Sequence, residues 1–370
     1  DRIAELDWLL QRLVNPAHRL TSLVGEGGVG KTRLALAAAE ALAGCFADGV
    51  WFVSLADVAP CEDPRQAQRE IARAIAGALG ATPSERQDPL TQVTALLRNK
   101  ELLLVLDNFE HLLAGVAFVG QLLRAAPNAE ILVTSRQPLH FQAEHVVRLT
   151  GLATPPTIDD PTANAYPAVA LFAARARQRL PHFALTPDTL APVVRICRFV
   201  CGLPLGIELA AAWVHKLSPA EIADRLAERV DWLQSEQGDL PQRHRTMQAV
   251  FEHSWSLLSP PERQALTGAA VFRGGFDRAA AVAVLRTEAA HLAGLVDKSL
   301  LYQNGEGRYD LHELLRQYVI GQSVGSPRRV VDANHSAHYL DLLRDHADGL
   351  RGYAVDEALA AIRPEIDNIR

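Results

Sequence analysis

Several features that mark specialised classes of protein are scarce or missing in this 370-residue sequence. No stretch of 18 or more residues is apolar enough to predict a membrane span. No basic segment followed by an apolar core predicts a signal peptide. Four cysteines are too few for a disulfide framework. Cys197 and Cys201 are four residues apart, and no cysteine or histidine pair with zinc-ligand spacing completes a site with them. We therefore expect buried, reduced thiols and a cytoplasmic protein.

The net charge is small, and the chain has few lysines. The formal net charge of −6 gives no general attraction to nucleic acid or anionic lipid. Lysine occurs only at Lys31, Lys100, Lys216 and Lys298, and arginine supplies the other positive charges. A lysine at a chemically meaningful position therefore requires its own explanation. The 48% hydrophobic and 22% charged residues are typical of a folded chain, and the length suggests two or three domains.

The first 150 residues alternate short apolar runs with helical patterns. The run from Leu102 to Leu106 is apolar at every position, as in a strand that is buried on both faces. Strands that alternate with helices predict a parallel sheet with helices on both faces. The predicted strands are 20–24, 50–55, 102–106, 131–134 and 146–149, and the predicted helices are 33–42, 64–79, 90–98 and 112–125.

The rest of the chain has a different pattern. Residues 154–167 include four prolines and predict a linker. Helices follow, and short helices then lead to two strands joined by Asn304-Gly305, a strong hairpin signal that predicts a winged helix. The predicted helices of this part include 204–217, 277–285 and a helical region from 334. We expect a sheet domain at 1–153, a helical domain at 154–240, a winged-helix domain at 241–325 and a further helical region at 326–370.

A glycine-rich loop follows the first predicted strand. Residues 25–32 fit the pattern G-x-x-x-x-G-K-[ST] without a mismatch. Such a loop turns backbone N–H groups toward a phosphate, and the helix that it opens adds a partial positive charge. We expect Lys31 to reach the β- and γ-phosphates and Thr32 to place its hydroxyl on Mg²⁺. The candidate nucleotide-binding residues here are Gly25, Glu26, Gly27, Gly28, Val29, Gly30, Lys31, Thr32 and Arg33.

The buried run of the third strand ends in Asp107. It places this carboxylate beside the phosphate loop, where we expect it to hold Mg²⁺. Asn108 follows, at a position where many P-loop hydrolases have a glutamate that activates water. Glu110 is the nearby acid that could replace it. Lys31, Asp107 and Glu110 are therefore candidate catalytic residues, and hydrolysis is expected to be slow.

The strand at 131–134 leads into Ser135 and Arg136. In a parallel sheet this end lies on the same side as the phosphate loop. Arg136 is therefore predicted to contact the γ-phosphate, as a nucleotide-binding and a catalytic residue. A solvated loop arginine is the alternative.

Together these motifs resemble the STAND class of signal-transduction ATPases, also called NB-ARC or AP-ATPases. The segments GEGGVGKTRLA, LLVLDNFEHLL and ILVTSRQPL are similar to the branch found in large bacterial transcriptional regulators. Residues 201–212, 271–276 and 295–301 are similar to that branch as well. The resemblance covers essentially the whole chain.

The resemblance implies nucleotide contacts from outside the sheet domain. In the family, the segment that corresponds to 202–205 contains a proline that packs against adenine, and Pro204 occupies this position here. The family also has a histidine that touches the β-phosphate of ADP, and His312 occupies its position. The Met and Asp that flank this histidine in the family are leucine and glutamate here. Without the resemblance, Pro204 is equally typical of a helix start and His312 of a surface position. The stretch from Arg2 to Glu5 is similar to the family's Gly-Arg-x-x-Glu motif at the adenine rim, with Asp1 in place of Gly.

Residues 338–370 resemble the start of a tetratricopeptide-like helical array. About three repeats are needed to bury the core of such an array. We therefore expect the chain to be part of a longer protein, in which these repeats bind an inducer or effector protein.

The resemblance implies a switch that binds ATP or ADP with Mg²⁺. ADP would hold a closed state, ATP would permit opening and self-association, and slow hydrolysis would reset the protein. One alternative is a DNA-binding regulator, but residues 241–325 carry 9 basic and 8 acidic residues, so direct DNA binding is not expected. Another is a P-loop kinase or housekeeping ATPase, and no sequence feature indicates the acceptor pocket that a kinase needs.

Overall fold

The computed structural model describes residues 2–81, 88–228, 247–304, 307–311, 313–322, 326–347, 350 and 355–369. The chain divides into two compact units, residues 1–152 and 153–370, which we call the first and second unit.

The first unit is built on a parallel five-stranded sheet with the strand order β2-β3-β4-β1-β5. Every residue of β1, β3 and β4 is buried, whereas the edge strands β2 and β5 are partly exposed. The predicted parallel sheet is therefore confirmed, with small shifts at the strand ends. The strands are β1 Leu20–Val24, β2 Val50–Ser54, β3 Leu102–Asp107, β4 Ala129–Ser135 and β5 Glu144–Arg148.

Helices cover both faces of this sheet. Alternate residues of β3 point to opposite faces, so Leu104 and Leu106 join one core cluster with Ile71, Ile75 and Phe118 of the helices. The opposite face carries the helix that follows the glycine-rich loop. The helices of the first unit are α1 Ile3–Leu13, α2 Lys31–Ala41, α3 Pro64–Ala78, α4 Pro89–Leu97 and α5 Val116–Ala125.

One predicted helix of the first unit begins later than expected. The predicted helix at 112–125 starts at Val116, because Asn108 adopts a left-handed conformation (φ 67°) and two 3₁₀ turns, at 109–111 and 113–115, precede the helix. The prediction was wrong here since the apolar spacing of the turns resembles that of a helix.

The second unit is mainly helical, as predicted, with one short hairpin. The two strands β6 Tyr302–Gln303 and β7 Tyr309–Asp310 pair in antiparallel fashion, so the predicted hairpin is confirmed. Gly305 and Glu306 of its turn lie outside the described residues. The helices are α6 Pro167–Arg179, α7 Pro187–Phe199, α8 Pro204–Ala211, α9 Pro219–Glu228, α10 Met247–Ser256, α11 Pro260–Ala269, α12 Arg278–Ala280, α13 Ala289–Asp297, α14 Glu313–Gln322, α15 Ser326–Asp345, α16 Val355–Ile362 and α17 Ile366–Ile369.

Two helices of the second unit differ from their predictions. The helix predicted at 204–217 ends at Ala211, and the one predicted at 277–285 is a single turn followed by a wider π-helical turn at 281–285. The π-helical turn ends at Arg286, which is left-handed (φ 51°). The predicted domain boundary at 240 lies outside the described residues. The division of this unit into helical, winged-helix and repeat regions stays a prediction.

The four cysteines are free, but only Cys197 is buried. Burial raises the pKa of its thiol to about 12. Cys45 and Cys201 are exposed, so the expectation of four buried thiols was wrong. Cys45 follows the end of α2, and Cys201 lies in the turn after α7 in a left-handed conformation (φ 45°), where neither side chain faces a core.

No single helix among the described residues is both long and apolar enough to cross a membrane. One pair of helical segments, Arg278–Leu285 and Ala289–Asp297, meets the requirement on length and composition alone, and it is bent by 112°.

Glu130 is an acid buried at the amino end of β4. It is 8% exposed, and its Oε2 has no hydrogen-bond partner among the described residues. Burial raises the pKa of this carboxyl to about 7, although the charge of Arg19 opposes the shift. The Arg19 guanidinium donates hydrogen bonds to the carbonyls of Ala126 and Ala129. Because burial disfavours the charged form of Glu130, ionisation of this carboxyl destabilises the fold.

We expect Glu130→Gln to stabilise the protein at pH 8 by about 1–3 kcal/mol, because it removes a buried charge whose Oε2 has no hydrogen-bond partner among the described residues. A raised pKa in the folded state means that stability is lost as pH rises from about 4, the unfolded value, to 7. The gain should therefore shrink as the pH falls and disappear near pH 4. Urea unfolding at both pH values measures it, with the exposed Glu101→Gln as a matched control. Equal stability of wild type and Glu130→Gln at pH 8 would contradict this account.

Candidate functional site

The glycine-rich loop connects β1 to α2. Gly30 caps α2 in a left-handed conformation (φ 98°) that a residue with a side chain rarely adopts. Gly25 is required for a different reason, because a Cβ atom there would lie 2.5 Å from the carbonyl oxygen of Leu149. The backbone of Leu149 is fixed by a 2.7 Å hydrogen bond from its N–H to the carbonyl of Val24. The loop is thus held against the end of β5.

Lys31 is folded over this loop. Its Nζ donates hydrogen bonds to the carbonyls of Gly25 and Glu26, at 2.7 and 2.9 Å. Burial lowers the pKa of this ammonium to about 8; the charge of Glu110 opposes the shift, and the charge of Arg136 contributes to it. An ammonium in this environment is stabilised by any anion that enters the loop.

Asp107 is the meeting point of three elements. The sheet places β4 between β1 and β3, with Leu106 opposite Val133, so the end of β3 lies beside Thr134. Asp107 Oδ1 accepts a 2.7 Å hydrogen bond from Thr32 Oγ1 and a 2.6 Å hydrogen bond from Thr134 Oγ1. Asp107 is 5% exposed, so these hydroxyls replace water around a buried carboxylate.

Thr134 was missed in the sequence analysis. It lies two residues before Arg136 within the segment ILVTSRQPL. Its hydroxyl also accepts a 3.0 Å hydrogen bond from the N–H of Asn108, so it holds the turn that follows Asp107. The signal that could have found it is a polar residue on a buried strand next to the strand that ends in Asp107.

The oxygens of Thr32 and Asp107 fit a magnesium ion. Mg²⁺ prefers hard oxygen ligands and keeps several waters when a protein binds it through one or two side chains. A hydroxyl and a carboxylate that already touch at 2.7 Å provide such a pair at the start of α2.

Arg136 and Glu110 form a buried ion pair. Arg136 Nε lies 3.1 Å from Glu110 Oε1, and the two side chains are 10% and 2% exposed. The left-handed Asn108 turns the chain after β3 so that Glu110 faces the end of β4. The carboxylate of Glu110 is therefore engaged by an arginine rather than held ready as a base.

Arg2 ties the amino-terminal helix to the loop. Its guanidinium donates hydrogen bonds to the carbonyl of Val29 at 3.1 Å and to the carbonyl of Thr150 at 2.5 Å, and it pairs with Glu5 at 3.1 Å. Desolvation by burial lowers the pKa of Arg2, although the charge of Glu5 opposes this. The stretch from Arg2 to Glu5 thus braces the loop at its outer side.

The structure brings most of the predicted site residues together at the carboxyl edge of the sheet in the first unit. The loop 25–32, Asp107, Glu110 and Arg136 all lie there, whereas Arg33 is exposed on α2. Pro204 is the first residue of α8 in the second unit. His312 lies outside the described residues.

We expect Gly25→Ala to destabilise the protein by about 1–3 kcal/mol, the usual cost of overpacking, because the added methyl meets backbone rather than a movable side chain. Gly44→Ala is the matched control, since a Cβ there has no neighbour within 4 Å. Thermal unfolding of both variants measures the difference. A Gly25→Ala protein as stable as Gly44→Ala would refute the close approach of loop and β5.

The solved structures that match this chain include two proteins with low structural similarity scores. The Signal Transduction ATPase with Numerous Domains (STAND) protein PH0952 from Pyrococcus horikoshii is 16% identical, with a TM-score of 0.35, over 99% of this chain and 50% of that chain. CDC6P from Pyrobaculum aerophilum is 15% identical, with a TM-score of 0.40, over 90% of this chain and 93% of that chain. At these TM-scores the likeness supports no conclusion about the fold or the function of this chain.

Curated relatives are more similar to this chain in sequence than the two solved structures are. The "Putative HTH-type transcriptional regulator Rv0890c" of Mycobacterium tuberculosis is 36% identical over 367 residues, which are 95% of this chain and 39% of that protein. "Regulatory protein AfsR" of Streptomyces coelicolor is 31% identical over 313 residues, which are 81% of this chain and 29% of that protein. The chain thus spans well under half of these regulators.

Two further matches define the family. The "Uncharacterized protein Rv0894" of Mycobacterium tuberculosis is 35% identical over 314 residues, which are 82% of this chain and 76% of that protein. The family model described as "AAA domain" matches residues 16–141, which include the loop, Asp107, Glu110 and Arg136. The chain therefore belongs to the same family as Rv0894, and its first unit contains an AAA-type P-loop NTPase domain.

Proposed function

We propose that this chain is the ATP- and ADP-binding switch of a STAND-type transcriptional or signalling regulator that acts in the cytoplasm. The observation that carries the proposal is the arrangement of Lys31 over the loop and of Thr32 against Asp107. Two of the relatives are named as regulators, and these names support a regulatory use of this site.

Each group of the site has a task toward a nucleotide. Lys31 exchanges the carbonyls of Gly25 and Glu26 for phosphate oxygens, and the start of α2 adds its partial positive charge. Thr32 and Asp107 hold Mg²⁺, which neutralises phosphate charge when it is bound. Because these donors are prearranged, little ordering accompanies binding.

The arrangement favours slow hydrolysis. Asn108 stands where a general base would help, and Glu110 is held by Arg136. Arg136 is the group that contacts a γ-phosphate, and in doing so it exchanges one anionic partner for another. Glu110 is then freed to activate water only when ATP is bound.

The second unit contributes the groups that distinguish the two nucleotide states. Pro204 packs against adenine, and His312 contacts the β-phosphate of ADP and so favours a closed state. A nucleotide shifts such an equilibrium only through contacts that differ between the states. ATP then favours opening and self-association, and the C-terminal helices receive an inducer or effector protein.

We expect Lys31→Ala to weaken ADP and ATP binding at least tenfold, about 1.4 kcal/mol, because it removes the side-chain cation of the loop. Isothermal titration of the full chain with Mg²⁺ and each nucleotide measures the affinity. Lys100→Ala is the matched control, because Lys100 pairs with Asp48 in a partly exposed ion pair. Unchanged affinity in Lys31→Ala would remove the basis of the proposal.

The pKa of Lys31 gives this experiment a second arm. Phosphate favours the charged ammonium, so binding takes up a proton above the free-state pKa of about 8. Wild-type affinity should therefore fall between pH 7 and pH 9.5, and the affinity of Lys31→Ala should lack this component.

We expect steady-state ATP turnover well below about 10 per second, the median for enzymes. If Glu110 activates water, Glu110→Gln lowers turnover by about 10²- to 10⁴-fold, the range for general-base catalysis, and leaves ADP affinity within about twofold. Phosphate release assays measure turnover, and Glu40→Gln, exposed on α2, is the control. A wild-type rate above tens per second would favour a housekeeping ATPase.

A further inference from the structure

A cavity of about 420 Å³ lies at the amino edge of the sheet in the first unit. Its lining includes Arg19, Glu101 and Asn128, which directly precede β1, β3 and β4 in the sequence. Because these strands are parallel, their amino ends lie at the edge opposite the glycine-rich loop. The volume falls in the range of about 300–1,000 Å³ that is usual for small-molecule sites. The cavity is therefore large enough for a small ligand, and it is separate from the loop.

Glu130 is the buried acid of this cavity. Ile131, the next residue of β4, belongs to the core cluster on one face of the sheet, so Glu130 points to the opposite face, which carries α2. Glu130 is 8% exposed, and its Oε2 has no hydrogen-bond partner in the part of the chain that the structure describes. Burial of a polar group without a hydrogen bond costs free energy. The carboxyl group therefore lacks a donor that the cavity has room to admit.

Arg19 also lines the cavity, but its hydrogen bonds go elsewhere. Its Nε donates to the carbonyl of Ala129 at 3.2 Å, and its Nη2 donates to the carbonyl of Ala126 at 2.5 Å. The charge of Arg19 acts to lower the pKa of Glu130, yet burial outweighs it and raises this pKa to about 7. Arg19 thus braces the turn before β4 and leaves the carboxyl group of Glu130 for another partner.

The charges that line the cavity favour a cation. The titratable side chains there are Glu130, Glu101, Arg19 and Cys45. When Glu130 is ionised, its carboxylate and that of Glu101 leave one negative charge in excess over the Arg19 guanidinium. An anionic ligand would meet repulsion from both carboxylates, whereas a cation is attracted to them.

The walls of the cavity favour an organic cation over a metal ion. They include the apolar side chains of Val14, Phe46 and Pro127, and Val14 is 51% exposed. A short hydrocarbon group would cover this apolar surface. No group of three or more His, Cys, Asp or Glu side chains that could hold a metal ion is found among the described residues.

We propose that this cavity binds a small organic ammonium ion. Its charged nitrogen donates hydrogen bonds to the carboxylate of Glu130, and its hydrocarbon part packs against Val14, Phe46 and Pro127. The ligand supplies the donors that Glu130 lacks, in charge-assisted hydrogen bonds that are stronger than neutral ones. An acid that destabilises the empty fold is thereby given a use, and such acids occur preferentially at functional sites. The site goes beyond the proposed function, because it involves no nucleotide.

The pH dependence of binding tests the role of the carboxylate. Benzylammonium is the probe, benzyl alcohol is its neutral counterpart, and ligand-observed NMR titrations of the full chain without nucleotide measure the affinities. We expect the affinity for benzylammonium to rise about tenfold from pH 6 to pH 8, because the ionised fraction of a carboxyl group with a pKa of about 7 rises from about one tenth to about nine tenths. Benzyl alcohol should bind at least tenfold more weakly at pH 8, without this dependence.

A substitution at Glu130 tests the same contact. Glu130→Gln keeps the size of the side chain and should weaken benzylammonium binding at pH 8 at least tenfold, with loss of the pH dependence. Because we expect this variant to be more stable than the wild type, unfolding would not explain weaker binding. Glu62→Gln is the matched control, since Glu62 is exposed before α3, and its affinity should stay within about twofold of the wild type.

Cys45 reports where the probe binds. It lines the cavity and is exposed, and Cys201 of the second unit is exposed as well. Saturating benzylammonium should slow the alkylation of Cys45 by iodoacetamide at least threefold, because a ligand in the cavity covers its wall. The rate at Cys201 should not change. Mass spectrometry of the two peptides measures both rates in one sample.

Several results would overturn the proposal. Equal affinity of the wild type and Glu130→Gln, or of benzylammonium and benzyl alcohol, would mean that the carboxylate takes no part in binding. Slower alkylation at both cysteines, or at neither, would mean that the probe does not bind in this cavity. These measurements contain no nucleotide, so failure here leaves the proposed nucleotide switch untouched, and failure of nucleotide binding leaves this site untouched.

Discussion

The buried carboxylate of Asp107 is the constraint on which the first unit depends. Removed from water, it must accept hydrogen bonds from the protein, and it receives them from Thr32 and Thr134. These donors belong to the start of α2 and to β4, so one acceptor fixes the distance between the glycine-rich loop and two strand ends. The insertion of β4 between β1 and β3 makes this possible.

The charged side chains near Asp107 form a site that suits an anionic ligand. The charge of Arg136 lowers the pKa of Lys31, and the charge of Glu110, which pairs with Arg136, opposes this effect. The positive groups are held by carbonyls and a carboxylate that a polyphosphate can replace. The site is thus arranged before a ligand enters, and the cost of desolvating its charges has already been met by folding.

In the second unit, too, buried polar groups fix the positions of elements that are distant in the sequence. Glu365 and Asn368 are buried polar groups whose partners lie far away in the sequence, at residues 273–275 and at Arg308. A fully satisfied polar network specifies one geometry, whereas an apolar contact tolerates several. Residues 363–369 are therefore placed by hydrogen bonds rather than by apolar packing alone.

The sequence by itself determined where the strands lie along the chain and that the sheet is parallel, because hydrophobic periodicity is a local property. It also determined the loop 25–32 and the roles expected of Lys31, Thr32 and Asp107, because the spacing of this motif is local as well. It did not determine the partner of Glu110, the contribution of Thr134 or the contacts of Asn368. These depend on which strands become neighbours and on chain reversals, such as the left-handed Asn108, that one-dimensional spacing does not encode. Only the tertiary structure brings Arg136 to Glu110 and Asn368 to residues 273–275, since long-range hydrogen bonds require buried groups to meet across elements that are distant in the sequence.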